Sequence, residues 1–297
     1  MRRYATPVAF KTAVEHRLRE LAREQGREMN RLRQLMLFDR LLARVAAVFG
    51  DAAILKGGFA LELRLGRART TRDVDLRVMG ERSNVIRRMR EAARLELPDF
   101  LRFELAETTR TLDGPGMVYE GVRLQAQAHL ASRIYGTAFA IDIAFGDPLS
   151  GAPQRMQGSS LLSFAGIEPA DILVYPRESH VAEKLHAYTV PRPRENSRVK
   201  DLPDLALLAT TGPFELTALR GALERTYGTR GSHSLPRELP PPPASWSAPY
   251  ARMAQLERLP WRDIGVLTEA VRRFIEPVLH ERRDARWSPS RWSWGGS

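Results

Sequence analysis

The feature that most constrains this chain is a stretch of strictly alternating polarity at residues 73–78. Even-numbered positions are apolar and odd-numbered positions are charged, which indicates a strand with one buried face. The charged face carries Asp73 and Asp75, two residue steps or about 7 Å apart along such a strand. Close carboxylates repel, and Mg²⁺ is held by one or two carboxylates together with phosphate oxygens, so the stretch predicts a metal site. The alternative is an exposed edge strand with solvated aspartates.

A glycine pair lies upstream of this strand. Gly57 and Gly58 follow Lys56 at the end of a short apolar run and precede a helix-like segment, 59–65. Glycine lets a bulky group approach the backbone, and the first turn of a helix offers N–H groups to an anion. The pair therefore predicts a phosphate-binding turn, and an ordinary glycine turn is the alternative.

Length and composition narrow the class of protein. At 297 residues the chain exceeds the usual size of one domain, which favours two lobes that share a cleft. The chain has no cysteine, which excludes disulfides and thiolate zinc sites and is typical of a reducing compartment. It also has no apolar run of about 18 residues and no signal-peptide pattern after Met1. We therefore expect a cytoplasmic protein that does not span a membrane.

The net charge is strongly positive, +11 with neutral histidines. This excess predicts an anionic partner, with nucleic acid as the leading candidate and a genome-wide arginine bias as the alternative. Only four of the 46 basic residues are lysines. Lys11, Lys56, Lys184 and Lys200 therefore mark positions where a compact ammonium group was kept instead of a planar guanidinium.

Hydrophobic periodicity predicts many helices and a small sheet. A capping box at residues 12–15 predicts the start of the first helix. The arginines of the first two helices could face RNA or simply solvent. Near the C-terminus, Trp287, Trp292 and Trp294 alternate with arginines, which suits either stacking on bases or docking on the protein itself. The other predicted helices span 29–49, 83–95, 176–190, 214–227 and 261–279, and the other strands span 100–109, 118–129 and 137–145.

A third candidate metal ligand lies in the predicted strand 137–145. Asp142 is the only charged residue on a face otherwise lined by alanines. Small neighbours leave room for an ion, so we expect Asp142 to join the two aspartates of the alternating strand.

The helix predicted over 176–190 carries Lys184 at the edge of its apolar face. A lysine there either snorkels to water or reaches into a cleft, and the scarcity of lysine favours the cleft. The same helical wheel points Glu183 away from that face. His180 and His186 lack the spacing of a zinc-binding pair, so we expect them to be structural or to support the site.

Asp201 and Asp204 lie three residues apart at the start of another predicted helix and share a face. One of them is expected to line the site. The alternative is that Asp201 caps the helix and that Asp204 is favoured in the first turn by the helix dipole.

In this order the motifs resemble the AbiEii/AbiGii nucleotidyltransferase toxins, a family that includes MenT-type toxins and falls in the DNA polymerase β superfamily. The resemblance covers roughly residues 11–208, and nothing specific is recognised downstream. The matching segments are Leu55-Lys56-Gly57-Gly58, Thr70-Thr71-Arg72-Asp73-Val74-Asp75-Leu76, Ile141-Asp142-Ile143, Ala182-Glu183-Lys184-Leu185 and Arg198-Val199-Lys200-Asp201-Leu202-x-Asp204-Leu205.

The resemblance implies a reaction and residue roles. The reaction is Mg²⁺-dependent transfer of a nucleoside monophosphate from an NTP to RNA, in several members the tRNA 3′ end, which blocks translation. Metal binding, by two Mg²⁺ ions or by Mn²⁺ in their place, is implied for Asp73, Asp75 and Asp142. NTP binding is implied for Lys56, Gly57, Gly58, Thr71, Arg72 and Lys184. Further catalytic roles are implied for Lys184 and for Asp201 or Asp204.

Two features of regulation are also expected. A toxin of this kind implies a cognate antitoxin as partner. A phosphate on Thr70 or Thr71 would compete with the metal-bound triphosphate, which makes both threonines candidates for regulatory modification.

The predicted fold class is α+β, a polymerase β-like nucleotidyltransferase core with a mixed sheet and flanking helices, plus a helical C-terminal lobe. We place an N-terminal helical region at 1–50, the core at 51–165 and the C-terminal lobe at 166–297. Two rival functions stay open: transfer to a small molecule or a protein hydroxyl, and a non-catalytic nucleic-acid-binding module on this scaffold.

Overall fold

The computed structural model describes residues 3–66, 71–108, 121–146, 149–280 and 284–296, and it has the predicted mixture of a sheet and helices. The helices are α1 Pro7–Gln25, α2 Met29–Phe49, α3 Gly57–Leu65, α4 Arg82–Arg94, α5 Arg177–Thr189, α6 Asp201–Ala209, α7 Leu216–Arg230, α8 Ser247–Leu256 and α9 Ile264–His280. The strands are β1 Ala53–Lys56, β2 Asp73–Val78, β3 Arg102–Glu107, β4 Gly121–Leu130, β5 Arg133–Ile134, β6 Phe139–Ala144, β7 Gln154–Gln157, β8 Asp171–Val174, β9 Arg286–Ser288 and β10 Ser293–Gly295.

The large sheet is mixed, with the strand order β3-β4-β6-β2-β1-β8-β7 and with β5 paired to β4. Strand β2 lies inside it, antiparallel to β1 and parallel to β6. Its even-numbered residues are buried and its odd-numbered residues are partly exposed, as the alternating polarity predicts. The edge-strand alternative is therefore wrong, because β2 is paired on both sides.

One face of the sheet carries the first hydrophobic core, which α1, α2 and α4 cover. Phe38 of α2 lies at its centre, with its ring centroid 5.1 Å from that of Phe59 and 4.8 Å from that of Phe139. Aromatic pairs at such distances add to the hydrophobic gain from burial. The core therefore fixes α2 and α3 against the strand that carries Asp142.

A second hydrophobic core holds α5 to α9 together with the hairpin β9–β10. Trp287 is completely buried in it, and its indole Nε1 donates to the carbonyl of Ala209 at 2.8 Å. The indoles of Trp292 and Trp294 also donate to backbone carbonyls, both of them in α9. The C-terminal tryptophans thus dock on their own lobe, which is one of the two alternatives that the sequence left open.

Several boundaries differ from the predicted ones. Helix α1 begins at Pro7 rather than at the capping box, because the Thr6 hydroxyl accepts the backbone N–H of Ala9 and Pro7 suits the first turn. The Thr12 hydroxyl instead donates to the carbonyl of Val8. Helix α8 was not predicted, since prolines at 240–243 and 249 break the periodic pattern around it.

The arginines of α1 and α2 mostly bind partners within the protein. Arg27 and Arg31 both pair with the buried carboxylate of Glu62 in α3, and Arg33 pairs with Glu15. These contacts join the two helices to the core, which is a different role from either RNA binding or simple solvation.

The division of the chain at residue 165 stays a prediction, and the sheet continues beyond it through β8. Within the described ranges, no helix is both long and apolar enough to cross a membrane.

Candidate active site

The register of the sheet places four charged residues side by side across four strands. Lys56 of β1 is paired with Asp75 of β2, Asp75 with Asp142 of β6, and Asp142 with Arg123 of β4. We call these four residues the charged row. Asp73 lies on the same face of β2, two residues before Asp75. Backbone pairing alone therefore brings together the three aspartates that were predicted from separate motifs.

Asp75 is half-buried in the cleft. Burial, and then the charges of Asp73 and Asp142, raise the pKa of its carboxyl to about 7, although the charges of Lys56 and Lys184 lower it. Binding of a cation would stabilise the ionised form of such a carboxyl. Asp73 and Asp75 therefore have the chemistry of a Mg²⁺ site, as donors of one or two carboxylates to an ion that also binds phosphate oxygens.

Asp142 has a partner already. The guanidinium of Arg123 donates to both of its carboxylate oxygens, from Nε at 2.6 Å and from Nη2 at 2.5 Å. Among the described residues, no three acidic or histidine side chains are arranged around one point where a metal ion would fit. The ion pair with Arg123 leaves lone pairs on both Asp142 oxygens, so metal binding by Asp142 stays a prediction.

The glycine turn is explained by the carboxylate next to it. Gly57 has a φ of +66°, and a Cβ atom built on it would lie 2.0 Å from Oδ2 of Asp75. Any larger residue would both strain the backbone and displace that carboxylate. Gly57 is thus required for the close approach of α3 to Asp75, and binding of a phosphate at this turn stays a prediction, as it does for Gly58.

Thr71 and Arg72 lie just before β2 and face different surroundings. Thr71 is 3% exposed, and its hydroxyl donates to Oδ1 of Asp73 at 2.6 Å, so it orients this carboxylate. Modification of Thr71 would require this buried hydroxyl to become exposed. Arg72 is exposed to solvent. Thr70, the other candidate for modification, lies outside the described residues.

Lys56 contacts a residue that the sequence analysis placed elsewhere. Its Nζ donates to Oε1 of Glu183 at 3.1 Å, and the same oxygen accepts bonds from the Tyr175 hydroxyl at 3.1 Å and from Arg230 at 3.3 Å. The helical wheel pointed Glu183 away from the apolar face of α5, and the structure shows what it contacts there. Its carboxylate lies between Lys56 at the end of β1 and Arg230 at the end of α7.

Glu183 is ionised in this setting. Burial favours the neutral acid, but the charges of Lys56 and Arg230 outweigh it and lower the pKa of the Glu183 carboxyl. The carboxylate therefore holds the Lys56 ammonium group beside the charged row.

Lys184 reaches into the cleft, in agreement with the cleft alternative. Its Nζ lies 3.2 Å from Oδ1 of Asp201 and 2.8 Å from Oδ2 of Asp204. Both carboxylates are almost completely buried, with exposures of 1% and 0%. The residue that caps α6 is Lys200 rather than Asp201, whose carboxylate binds Lys184 and Arg198. The two acidic residues thus act together, and the alternative of a purely capping Asp201 is wrong.

His180 is buried one helical turn before Lys184. Burial, and then the nearby charge of Lys184, lower the pKa of its imidazole to about 3, so the ring is neutral. Neither ring nitrogen has a hydrogen-bond partner among the described residues. We infer that His180 supports the packing of α5.

Comparisons with known proteins agree with this architecture. Residues 40–292 match a family model described as "Nucleotidyl transferase AbiEii toxin, Type IV TA system". No curated protein matches the sequence. The fold resembles MenT4, nucleotidyltransferase toxin Rv2826c from Mycobacterium tuberculosis H37Rv, with a TM-score of 0.57 and 18% identity over 93% of this chain and 92% of that one. It also resembles JHP933 from Helicobacter pylori, with a TM-score of 0.51 and 16% identity over 85% of this chain and 96% of that one. The predicted nucleotidyltransferase fold with a helical C-terminal lobe is confirmed.

The raised pKa of Asp75 predicts that an Asp75→Asn variant is more stable than the wild type at pH 8 without metal. In an unfolded chain an aspartate has a pKa of about 3.9. Between that pH and about 7 only the unfolded state releases the proton, so wild-type stability falls as pH rises through this window. Asparagine does not titrate, so the variant should gain roughly 2–4 kcal/mol at pH 8 and nothing near pH 4.

Urea denaturation in EDTA at both pH values measures this difference. Asp51→Asn changes a largely exposed aspartate and is the matched control, for which no pH-dependent gain is expected. Equal stability of Asp75→Asn and wild type at pH 8 would show that the pKa of Asp75 is not raised by burial and by its acidic neighbours.

Proposed function

This chain belongs to the AbiEii family of nucleotidyltransferase toxins, and we propose that it transfers a nucleoside monophosphate from an NTP to the 3′ end of RNA, with tRNA as the acceptor and Mg²⁺ as the metal. The observation that supports this reaction most is the placement of Lys56 and Lys184 on one side of Asp73 and Asp75. Two ammonium groups beside two carboxylates match a metal-bound triphosphate. RNA as acceptor is supported by the net charge of +11.

The metal, when bound, supplies activation of the attacking hydroxyl and stabilisation of the leaving pyrophosphate. Asp73 and Asp75 are the residues that would hold it, and Thr71 keeps the Asp73 carboxylate oriented. Lys56 and Lys184 would neutralise negative charge that spreads over the phosphoryl oxygens during transfer.

The two lysines are positioned before any nucleotide arrives. Glu183 holds Lys56, and the pair Asp201 and Asp204 holds Lys184. Fixed charges need no reorganisation at the moment of reaction, which is the main source of electrostatic catalysis. We therefore assign Glu183, Asp201 and Asp204 a positioning role rather than direct contact with the nucleotide.

The biological setting follows from the family. As a toxin, the protein would modify tRNA in the cytoplasm, block translation and be neutralised by a cognate antitoxin. This outcome suits defence against phage, because an infected cell that stops translation cannot produce virus.

A labelling assay tests the proposed reaction. The purified protein is incubated with Mg²⁺, with each α-labelled NTP in turn and with total tRNA. We expect label on tRNA from wild type and none from Asp73→Ala, because that variant loses a metal ligand. Label on protein or on a small molecule would replace RNA as the acceptor class, and no label on any product would contradict nucleotidyl transfer itself.

Substitution Lys184→Arg tests whether a compact ammonium group is needed. A guanidinium is larger and planar, so it should not fit between Asp201 and Asp204 in the same place. We expect at least about a tenfold loss of kcat/KM for the NTP. Lys11→Arg is the matched control, since Lys11 of α1 lies over the ring of Tyr135, a residue of the first hydrophobic core. Wild-type activity of Lys184→Arg would show that only the charge matters.

Substitution Glu183→Gln tests the positioning role. The neutral amide keeps the shape of the side chain but releases the charge that holds Lys56, so we expect the KM for the NTP to rise about tenfold. Glu178→Gln, at the start of the same helix, is the control. An unchanged KM would make Glu183 a structural residue only.

A further inference from the structure

The sheet face that bears the aspartates continues away from the lysines, across β6, β4 and β3. Asp73 is paired with Ala140, Ala140 with Gln125, and Gln125 with Ala106. The charged row lies beside this row, two residues along each strand, and ends at Arg123. A polar surface thus begins at the metal-binding aspartates and reaches the edge of the sheet.

Among the described residues, part of this surface is exposed to solvent. The helices that contact β3 and β4, α4 and α1, do so from the opposite face, where Phe103 and Leu124 are buried in the first core. On the polar face, Gln125, Gln127 and Ala140 keep part of their surface exposed, and Ala106 at the edge strand is exposed. Glu104, which is paired with Gln127, is also exposed and forms an ion pair with His129.

Chemistry of the side chains fits single-stranded RNA. Alanines at 106 and 140 let a base or ribose come close to the backbone of the sheet. The amides of Gln125 and Gln127 can each donate and accept hydrogen bonds, as the edges of unpaired bases do. Arg123 adds a cation at the end nearest the aspartates, and its bonds to Asp142 keep it in place.

Geometry of the reaction points to the same side. In phosphoryl transfer the attacking oxygen and the leaving group lie roughly in line on opposite sides of phosphorus. Lys56 and Lys184 mark the side of the triphosphate, next to β1 and α5. The acceptor must therefore approach from the side of β6 and β4.

The size of the surface also fits. Three strand spacings of about 4.8 Å separate β2 from β3, which gives roughly 14 Å between the aspartates and the sheet edge. Four-stranded sheets in RNA-binding domains hold two or three bases by stacking them on aromatic side chains, and on this face alanines and glutamines would contact the bases instead.

We propose that these outward residues, the acceptor face, bind the single-stranded 3′ end of the acceptor RNA and direct its terminal hydroxyl to the aspartates. The acceptor face is formed by Ala106, Arg123, Gln125, Gln127 and Ala140. The identity of the ligand rests on the proposed function, since an RNA acceptor is part of it.

A direct binding measurement tests this proposal without relying on catalysis. The probe is a 3′-fluorescent single-stranded oligoribonucleotide of about ten residues, whose anisotropy is followed as protein is added. The double variant Gln125→Glu/Gln127→Glu places two negative charges where the RNA would lie. We expect its Kd for the probe to rise at least about tenfold.

The matched control is Gln157→Glu/Gln255→Glu, which makes the same change at two exposed positions in β7 and α8. Its Kd should stay within about twofold of wild type. Circular dichroism and the thermal midpoint confirm that each variant is folded. If the double variant fails to fold, Gln127→Glu alone, which lies farther from the aspartates, gives the same test with a smaller expected change.

The outcomes separate this proposal from the proposed function. If the variant at 125 and 127 is folded and binds the probe as tightly as wild type, the acceptor face is wrong. If the variant loses RNA binding but the wild type transfers no label to any RNA, the acceptor face stands and the proposed reaction falls.

Discussion

The charged row is the constraint on which the rest of this structure depends. Backbone pairing across β1, β2, β6 and β4 places two adjacent carboxylates, those of Asp75 and Asp142, between the cations of Lys56 and Arg123. Adjacent carboxylates in a partly desolvated cleft repel each other, and the flanking cations offset part of this cost. Burial, and then the charges of Asp73 and Asp142, still raise the pKa of Asp75. A bound cation would offset both effects, so the site favours cation binding.

Other parts of the fold accommodate that row. The Asp75 carboxylate occupies the space that a side chain at Gly57 would need. The buried hydroxyl of Thr71 donates to Asp73 and so orients its carboxylate. Helix α5 then brings two consecutive residues, Glu183 and Lys184, to the same cleft. Glu183 holds a lysine of the sheet, while Lys184 is held by acidic residues of α6.

The C-terminal lobe supplies the support for α5. Its hydrophobic core packs α5 against α6 and α7, and the fully buried Trp287 joins the end of the chain to α6. The nucleotidyltransferase family extends over this lobe, since its model matches as far as residue 292. In the arrangement proposed here, the lobe therefore fixes the triphosphate side of the aspartates, and the open sheet leaves the other side to the acceptor.

Local sequence patterns determined most of the elements and singled out most of the candidate residues of the site. Alternation identified β2, helical periodicity identified α2 to its exact ends, and the rarity of lysine singled out Lys56 and Lys184, because these signals depend only on neighbouring residues. Tertiary structure alone decided the partners. The helical wheel of α5 could not show that α7 and the sheet cover Glu183 from both sides, and nothing near Arg123 in the sequence marks it as the partner of Asp142. Strand register and the docking of one lobe on another join residues far apart in the chain, so the contacts that set their charges and orientations exist only in the folded protein.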